Sequence, residues 1–224
     1  KKNNNLESYV KNINDKGFFK FEKNVLTENQ LNEIHAFLKN KNIYPAHVPC
    51  YDKDHPTKID NFEGFIASYN AKTIIETPHL IELVTDQKIL NVVKDYLGCT
   101  PAIFDLNLVW SIGNRAKHET DHFHRDYDDF SHCLLMVYLS DVDDDCGGHI
   151  YKIGSHKKDQ EPNTFDSEKI LGSAGTAFLT DATGWHSGSV PLKGKKRCIF
   201  WCRYGLTYNY MWEVHNHRYW GYDN

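Results

Sequence analysis

Apolar spacing divides the chain into two textures. Up to about residue 100 the recognisable apolar stripes recur every three or four positions, whereas beyond it apolar residues alternate or run in short blocks. The first spacing suits one face of a helix and the second suits strands. Lys1 to Asn5 is read as a polar, poorly ordered end. Gly17–Phe21 then predicts a short strand. Thr27 opens a helix, with Gln30 three residues on completing a capping box and Leu31, Ile34, Phe37 and Leu38 forming the apolar stripe. A loop-rich stretch follows through Pro45, Pro49 and Pro56. Helical pieces are expected from about Pro78 to Val84 and from about Asp86 to Leu97, with Gly98 as the stop of the second.

From Ala102 the pattern predicts strands at Ala102–Ser111, Cys133–Leu139, His149–Ile153, Gly175–Leu179 and Arg197–Arg203, all rich in β-branched or aromatic residues. Turn chemistry separates them at Gly113-Asn114, at Asp143–Gly148, at Gly172 and at Gly194. Helices first and strands afterwards point to an α+β chain, mainly β, whose β part is a sandwich or barrel. With 224 residues, one domain over 1–224 is expected. Its helical front covers about 15–100, its β core about 102–205, and an aromatic-rich tail 206–224.

Composition narrows the function. The hydrophobic fraction of 40% and aromatic fraction of 13% fit a folded globule rather than disorder. A net charge of -4 and the lack of a basic stripe argue against nucleic acid as a partner. Lys193-Gly194-Lys195-Lys196 is read as an exposed turn. No apolar run has the length of a membrane span, so no membrane partner is expected. No signal-peptide pattern is seen at the start. The cysteines Cys50, Cys99, Cys133, Cys146, Cys198 and Cys202 form no Cys-x-x-Cys pair. Free thiols and a cytoplasmic location are expected.

The chemistry sits in the second half. In Asp121-His122-Phe123-His124-Arg125-Asp126, the side chains of His124 and Asp126 point to one side of an extended segment. His186 follows 62 residues later (186 − 124), after the turn-rich Thr180–Trp185. Two imidazoles and a carboxylate can cover one face of a ferrous ion and leave the other open. A structural zinc site would normally recruit thiolates instead. His122 shares the face of His124 and Asp126, and is assigned to the surroundings of the metal or to the substrate pocket. Arg197 is suited to an anionic, bidentate co-substrate. His132, His149, His156 and His215 are read as ordinary surface or hydrogen-bonded histidines. Asp141–Asp145 resembles a calcium loop, but Cys146 stands where the sharp-turn glycine belongs and Lys152 where the bidentate glutamate belongs. It is read as an acidic turn.

In order and spacing these pieces resemble the phytanoyl-CoA hydroxylase family of Fe(II)/2-oxoglutarate dioxygenases, from about Asp15 to Gly205. Asp15-Lys16-Gly17-Phe18 and Val25-Leu26-Thr27 look like its entry strand and first helix, and His124-Arg125-Asp126 matches its His-x-Asp. Cys146–Ile150 and Ile153-Gly154-Ser155-His156-Lys157 resemble its Asn-Gly-x-Leu and Pro-Gly-Ser-His-Lys stretches. Gly175–Asp181 resembles the strand before the distal histidine, and Arg197 follows His186 by 11 residues (197 − 186). Ile153 departs from the usual proline. Gly188 stands where many relatives carry serine, so Ser187 or Ser189 is expected to supply that hydroxyl.

The resemblance implies a double-stranded β-helix core (jelly roll, cupin-like) with N-terminal helices packed outside. It implies that His124, Asp126 and His186 are the metal-binding and catalytic set, and that Arg197 and Met136 contact the co-substrate. The cofactors implied are Fe(II), 2-oxoglutarate and O2. The implied reaction is hydroxylation of an aliphatic C–H bond of a small-molecule substrate, releasing succinate and CO2. Related halogenases lack the carboxylate that Asp126 provides. Arg125, Asp128, Trp201, Arg203 and Tyr204 are expected near the cleft, and the tail from Tyr208 to Tyr222 is read either as a lid or as packing on the barrel exterior. Two other readings stay open: a cupin-type metal-dependent dioxygenase or isomerase that does not use 2-oxoglutarate, and a non-catalytic barrel binding module.

Overall fold

The computed structural model describes residues 4–45, 56–113 and 122–206. Pro49, Cys50, Asn114, His215 and the aromatic tail from Tyr208 onward lie outside the described residues. The expected disordered start is corrected at its inner end, where helix α1 occupies Asn4–Lys16. Leu6, Tyr9, Val10 and Ile13 fall at positions i, i+3, i+4 and i+7 and pack on the core. Gly17 ends α1 with φ 87° while its N–H donates to the Ile13 carbonyl at 2.9 Å. That left-handed position favours glycine.

Strand β1 (Phe18–Lys20) follows, then helix α2 (Glu28–Leu38). The expected capping box is present: Gln30 N–H donates to Thr27 Oγ1 at 3.3 Å, and Thr27 N–H to Gln30 Oε1 at 2.9 Å. Next come β2 (Tyr44–Pro45), β3 (Ile66–Ser68), α3 (Ala71–Glu76), α4 (Leu80–Val84) and α5 (Gln87–Leu97). Asp86 caps α5 through its side chain, and Gly98, at φ 74°, stops it. The remaining strands are β4 (Ala102–Ile112), β5 (His132–Tyr138), β6 (His149–Lys152), β7 (Ser167–Ile170), β8 (Ala177–Asp181), β9 (His186–Gly188) and β10 (Lys196–Gly205).

They form a seven-stranded sheet, β1-β8-β5-β10-β4-β3-β2, and a three-stranded sheet, β7-β6-β9, with every pairing antiparallel. This is the α+β, mainly β architecture expected, a jelly roll with helices on its outer face. Strand alternation explains the two halves of the core. Cys133, Leu135 and Val137 of β5 face the helices with Leu108, Phe200 and Cys202. Leu134, Met136 and Tyr138 face the small sheet with Val109, Phe178 and Ile199. A strand buried on both faces reads as an unbroken apolar run, and all seven residues of β5 are buried. Cys99, Cys133, Cys146, Cys198 and Cys202 are free. Among the described residues no helix is long and apolar enough to cross a membrane.

Candidate metal centre

A cavity of about 290 Å³ opens between the two sheets. His124, Asp126 and His186 meet at it, with one ligand atom from each lying within 4.8 Å of the others. His124 Nε2 is 3.9 Å from Asp126 Oδ1, and His186 Nε2 is 3.8 Å from Asp126 Oδ2. Ligands about 2.1 Å from a shared ion stand roughly 3–4 Å apart. Backbone pairing brings the distant parts together. His124 and His186 exchange N–H···O bonds at 2.9 Å in each direction, and Asp126 N–H donates to the Ala182 carbonyl at 2.8 Å.

The ring orientations favour a cation. His124 Nδ1 lies 2.9 Å from the His122 carbonyl, and His186 Nδ1 lies 2.9 Å from the Gly184 carbonyl. A carbonyl only accepts, so each Nδ1 carries the proton and each Nε2 presents its lone pair to the centre. Burial pushes the His186 imidazole down, toward the neutral form that ligates metals. Burial raises the Asp126 carboxyl, but His186, Arg203 and His124 outweigh it and hold Asp126 well below the usual carboxylate range. Arg203 is the guanidinium paired directly with Asp126, at 2.9 Å. The donor set therefore fits a divalent ion.

Arg203 is more than a cleft neighbour. Its Nη2 donates to Asp126 Oδ2 at 2.9 Å, its Nη1 to Asp105 Oδ2 at 2.8 Å, and its Nε lies 3.0 Å from Asp128 Oδ2. Burial opposes the guanidinium charge, but Asp126, Asp105 and Asp128 keep it firmly protonated. Asn107 Nδ2 adds two 2.9 Å bonds to Asp105. The carboxylate of the His124, Asp126 and His186 cluster is thus held by a buried network that reaches the cavity wall.

Arg197 lines the same cavity and is 8% exposed. Inward-facing residues of β10 step from Arg197 through Ile199 and Trp201 to Arg203, opposite Ser111, Val109, Asn107 and Asp105 of β4. The Arg197 guanidinium at one end is thus separated from the His124, Asp126 and His186 cluster by a largely apolar stretch. Met136, opposite Trp201, forms part of that wall. A hydroxyl from β4 also reaches the guanidinium: Arg197 Nη2 donates to Ser111 Oγ at 3.4 Å. Ser189 lines the cavity, whereas Ser187 is buried and is not part of the wall. A Cβ at Gly188 would lie 3.3 Å from Arg197 Nη2, so a larger residue would press on the guanidinium.

Other expectations are corrected. The His122 side chain is exposed, and only its carbonyl serves the site. Arg125 points away and bonds the Ser155 and Lys158 carbonyls at 3.2 and 2.6 Å, because neighbours on an extended segment face opposite sides. Tyr204 turns to the helical side and donates to the Val84 carbonyl at 2.7 Å. His149, taken as ordinary, is 5% exposed in the cavity wall. Burial pushes its imidazole well below the ordinary histidine range. Sequence reasoning missed Ser111, Asp105 and Asn107; their period-two spacing on β4 was the available signal.

The fold and site define a jelly-roll protein with a two-histidine, one-carboxylate cluster and an arginine sharing its cavity. No family model and no curated protein sequence matches the chain. Solved structures do. AviO1 from Streptomyces viridochromogenes Tue57 superposes with TM-score 0.63 at 15% identity, over 91% of this chain and 96% of that one. SnoN, a non-heme alpha ketoglutarate dependent epimerase from nogalamycin biosynthesis, gives 0.66 at 14%, over 90% and 83%. HygX from Streptomyces hygroscopicus, with nickel and 2-oxoglutarate bound, gives 0.64 at 15%, over 90% and 87%. At these identities the shared property is the fold.

Proposed function

We propose that this chain is a non-heme Fe(II)- and 2-oxoglutarate-dependent dioxygenase that hydroxylates an aliphatic C–H bond of a small molecule. The observation that carries the proposal is the convergence of His124, Asp126 and His186, with both Nδ1 atoms pinned to carbonyls and Arg197 in the same cavity. The folds it resembles support the cofactor pair, since HygX holds nickel with 2-oxoglutarate and SnoN is described as alpha ketoglutarate dependent. The same neighbours include a carbocyclase, SnoK. Product analysis therefore has to accompany any turnover assay.

The chain's own residues would act as follows. His124, Asp126 and His186 hold the ion on one face and leave the cavity side open. Bound iron with 2-oxoglutarate supplies the oxidising power for O2 chemistry, with succinate and CO2 as co-products. Arg197 pairs with the far carboxylate through a planar fork, steadied by Ser111. Arg203 orients Asp126. Ile199 and Met136 keep water from the stretch between the two ends.

The test is spectroscopic and then chemical. Anaerobic Fe(II) plus 2-oxoglutarate should give a weak visible charge-transfer band in the wild-type protein, and air should release succinate. In Arg197→Ala, metal binding should persist while the band and succinate disappear at the same 2-oxoglutarate concentration. Iron binding without any response to 2-oxoglutarate would overturn the proposal in favour of a metal-dependent enzyme of another kind.

A further inference from the structure

The wall between the metal cluster and Arg197 contains a buried ring that the mechanism above does not use. His149 sits on β6 and is 5% exposed. Its Nε2 is buried and has no hydrogen-bond partner among the described residues. Its backbone N–H is already bonded to Tyr138 Oη at 3.0 Å, so β6 does not need the imidazole to be anchored. The ring stands 5.5 Å from that of His186 and 5.4 Å from that of Phe178. In strand register His149 lies opposite Gly188, the residue whose Cβ position is 3.3 Å from Arg197 Nη2. His149 therefore stands midway along the cavity, with the metal cluster on one side and the guanidinium on the other.

A buried polar atom without a partner is destabilising. A leucine here would fill much of the same space against Phe178 without that penalty. A fold that keeps imidazole at such a position sacrifices stability for something the apoprotein does not display. A fourth metal ligand does not explain it, because the cluster of mutually close ligand atoms contains His124, Asp126 and His186 but not His149.

We propose that His149 is a co-substrate-binding residue, its Nε2–H donating to an oxygen of the 2-oxoglutarate that spans the metal cluster and Arg197. Carboxylate and keto oxygens only accept, and Ile199 and Met136 of the same wall offer no N–H or O–H donor. The inference rests on the proposed 2-oxoglutarate dependence.

The experiment compares wild type, His149→Leu and His149→Gln in three measurements. These are melting of the chelator-treated apoprotein, Ni(II) affinity, and 2-oxoglutarate affinity from the anaerobic Fe(II) charge-transfer band. His149→Leu should melt at or above the wild-type temperature, bind Ni(II) as wild type does, and bind 2-oxoglutarate about tenfold more weakly. His149→Gln, which restores a donor, should recover part of that affinity. Unchanged 2-oxoglutarate affinity in His149→Leu overturns the proposal. A clear drop in its apoprotein melting temperature also overturns it, because the ring would then be holding the fold. A wild-type protein that binds Ni(II) yet ignores 2-oxoglutarate overturns the proposed function itself, and that is read before either variant is compared.

Discussion

Arg203 shows how much of this site depends on charge compensation. One guanidinium faces Asp105, Asp126 and Asp128, all largely removed from water. Deleting one partner of a buried ionic cluster leaves the others uncompensated, at about 3–5 kcal/mol. Arg203→Met should therefore lower the unfolding free energy of the metal-free protein by roughly that amount, measured by urea denaturation in chelator. A divalent cation on His124, Asp126 and His186 would replace part of the lost charge. Saturating Ni(II) should then stabilise Arg203→Met by more than it stabilises wild type. Equal gains would show that Arg203 and the metal do not share Asp126. The four chemically distinctive residues of the site were legible in the sequence because type and spacing carry the signal. Ser111, Asp105 and Asn107 were not. On β4 they alternate with Leu106, Leu108 and Trp110, which is how a strand with a solvent-facing side reads. Here that side faces the cavity.

Among the elements, legibility followed the clarity of the apolar pattern rather than length, since three-residue β1 was expected and 13-residue α1 was not. The longer strands, α2 and α5 announce themselves through periodicity and caps. The short strands β2, β3, β7 and β9, two to four residues each, are strands only because partners lie beside them. Helix α1 was overlooked because asparagines and lysines crowd its sequence, although its apolar stripe is regular. Its end offers a test. Gly17 and Gly98 both close helices with positive φ, 87° and 74°. A Cβ at Gly98 meets nothing within 4 Å, whereas one at Gly17 would lie 2.3 Å from Tyr151 Oη, which donates to the Asp181 carbonyl at 2.7 Å. Gly98→Ala should cost only the left-handed backbone penalty, about 1 kcal/mol. Gly17→Ala adds overpacking of about 1–3 kcal/mol. Chemical denaturation of the two variants should separate them by that margin, and similar losses would mean that α1 and the small sheet are not locked together at Tyr151.

For the whole molecule, the cluster is a clasp between segments far apart in sequence. His124 and Asp126 lie on a segment that pairs with β9 at a single bridge, and His186 begins β9. Asp126 is tied through Arg203 to β10 and β4 of the large sheet. An unfolded chain cannot assemble this geometry, so metal binding and folding are linked. A ligand present at a hundred times its Kd stabilises the native state by about 2.7 kcal/mol. For a chain of this size each kcal/mol moves the melting temperature by roughly 2–4 °C. Saturating Ni(II) should therefore raise the Tm of chelator-treated protein by about 5–10 °C in a thermal scan. His186→Ala should lose most of that rise. Gly98→Ala, which touches no part of the site, should retain it from its own lower baseline. A further rise on adding 2-oxoglutarate should require the metal to be present, because the co-substrate is proposed to bridge the ion and Arg197. If 2-oxoglutarate stabilises the protein equally with and without metal, the two ligands bind independently. The cavity would then not be the shared site described above.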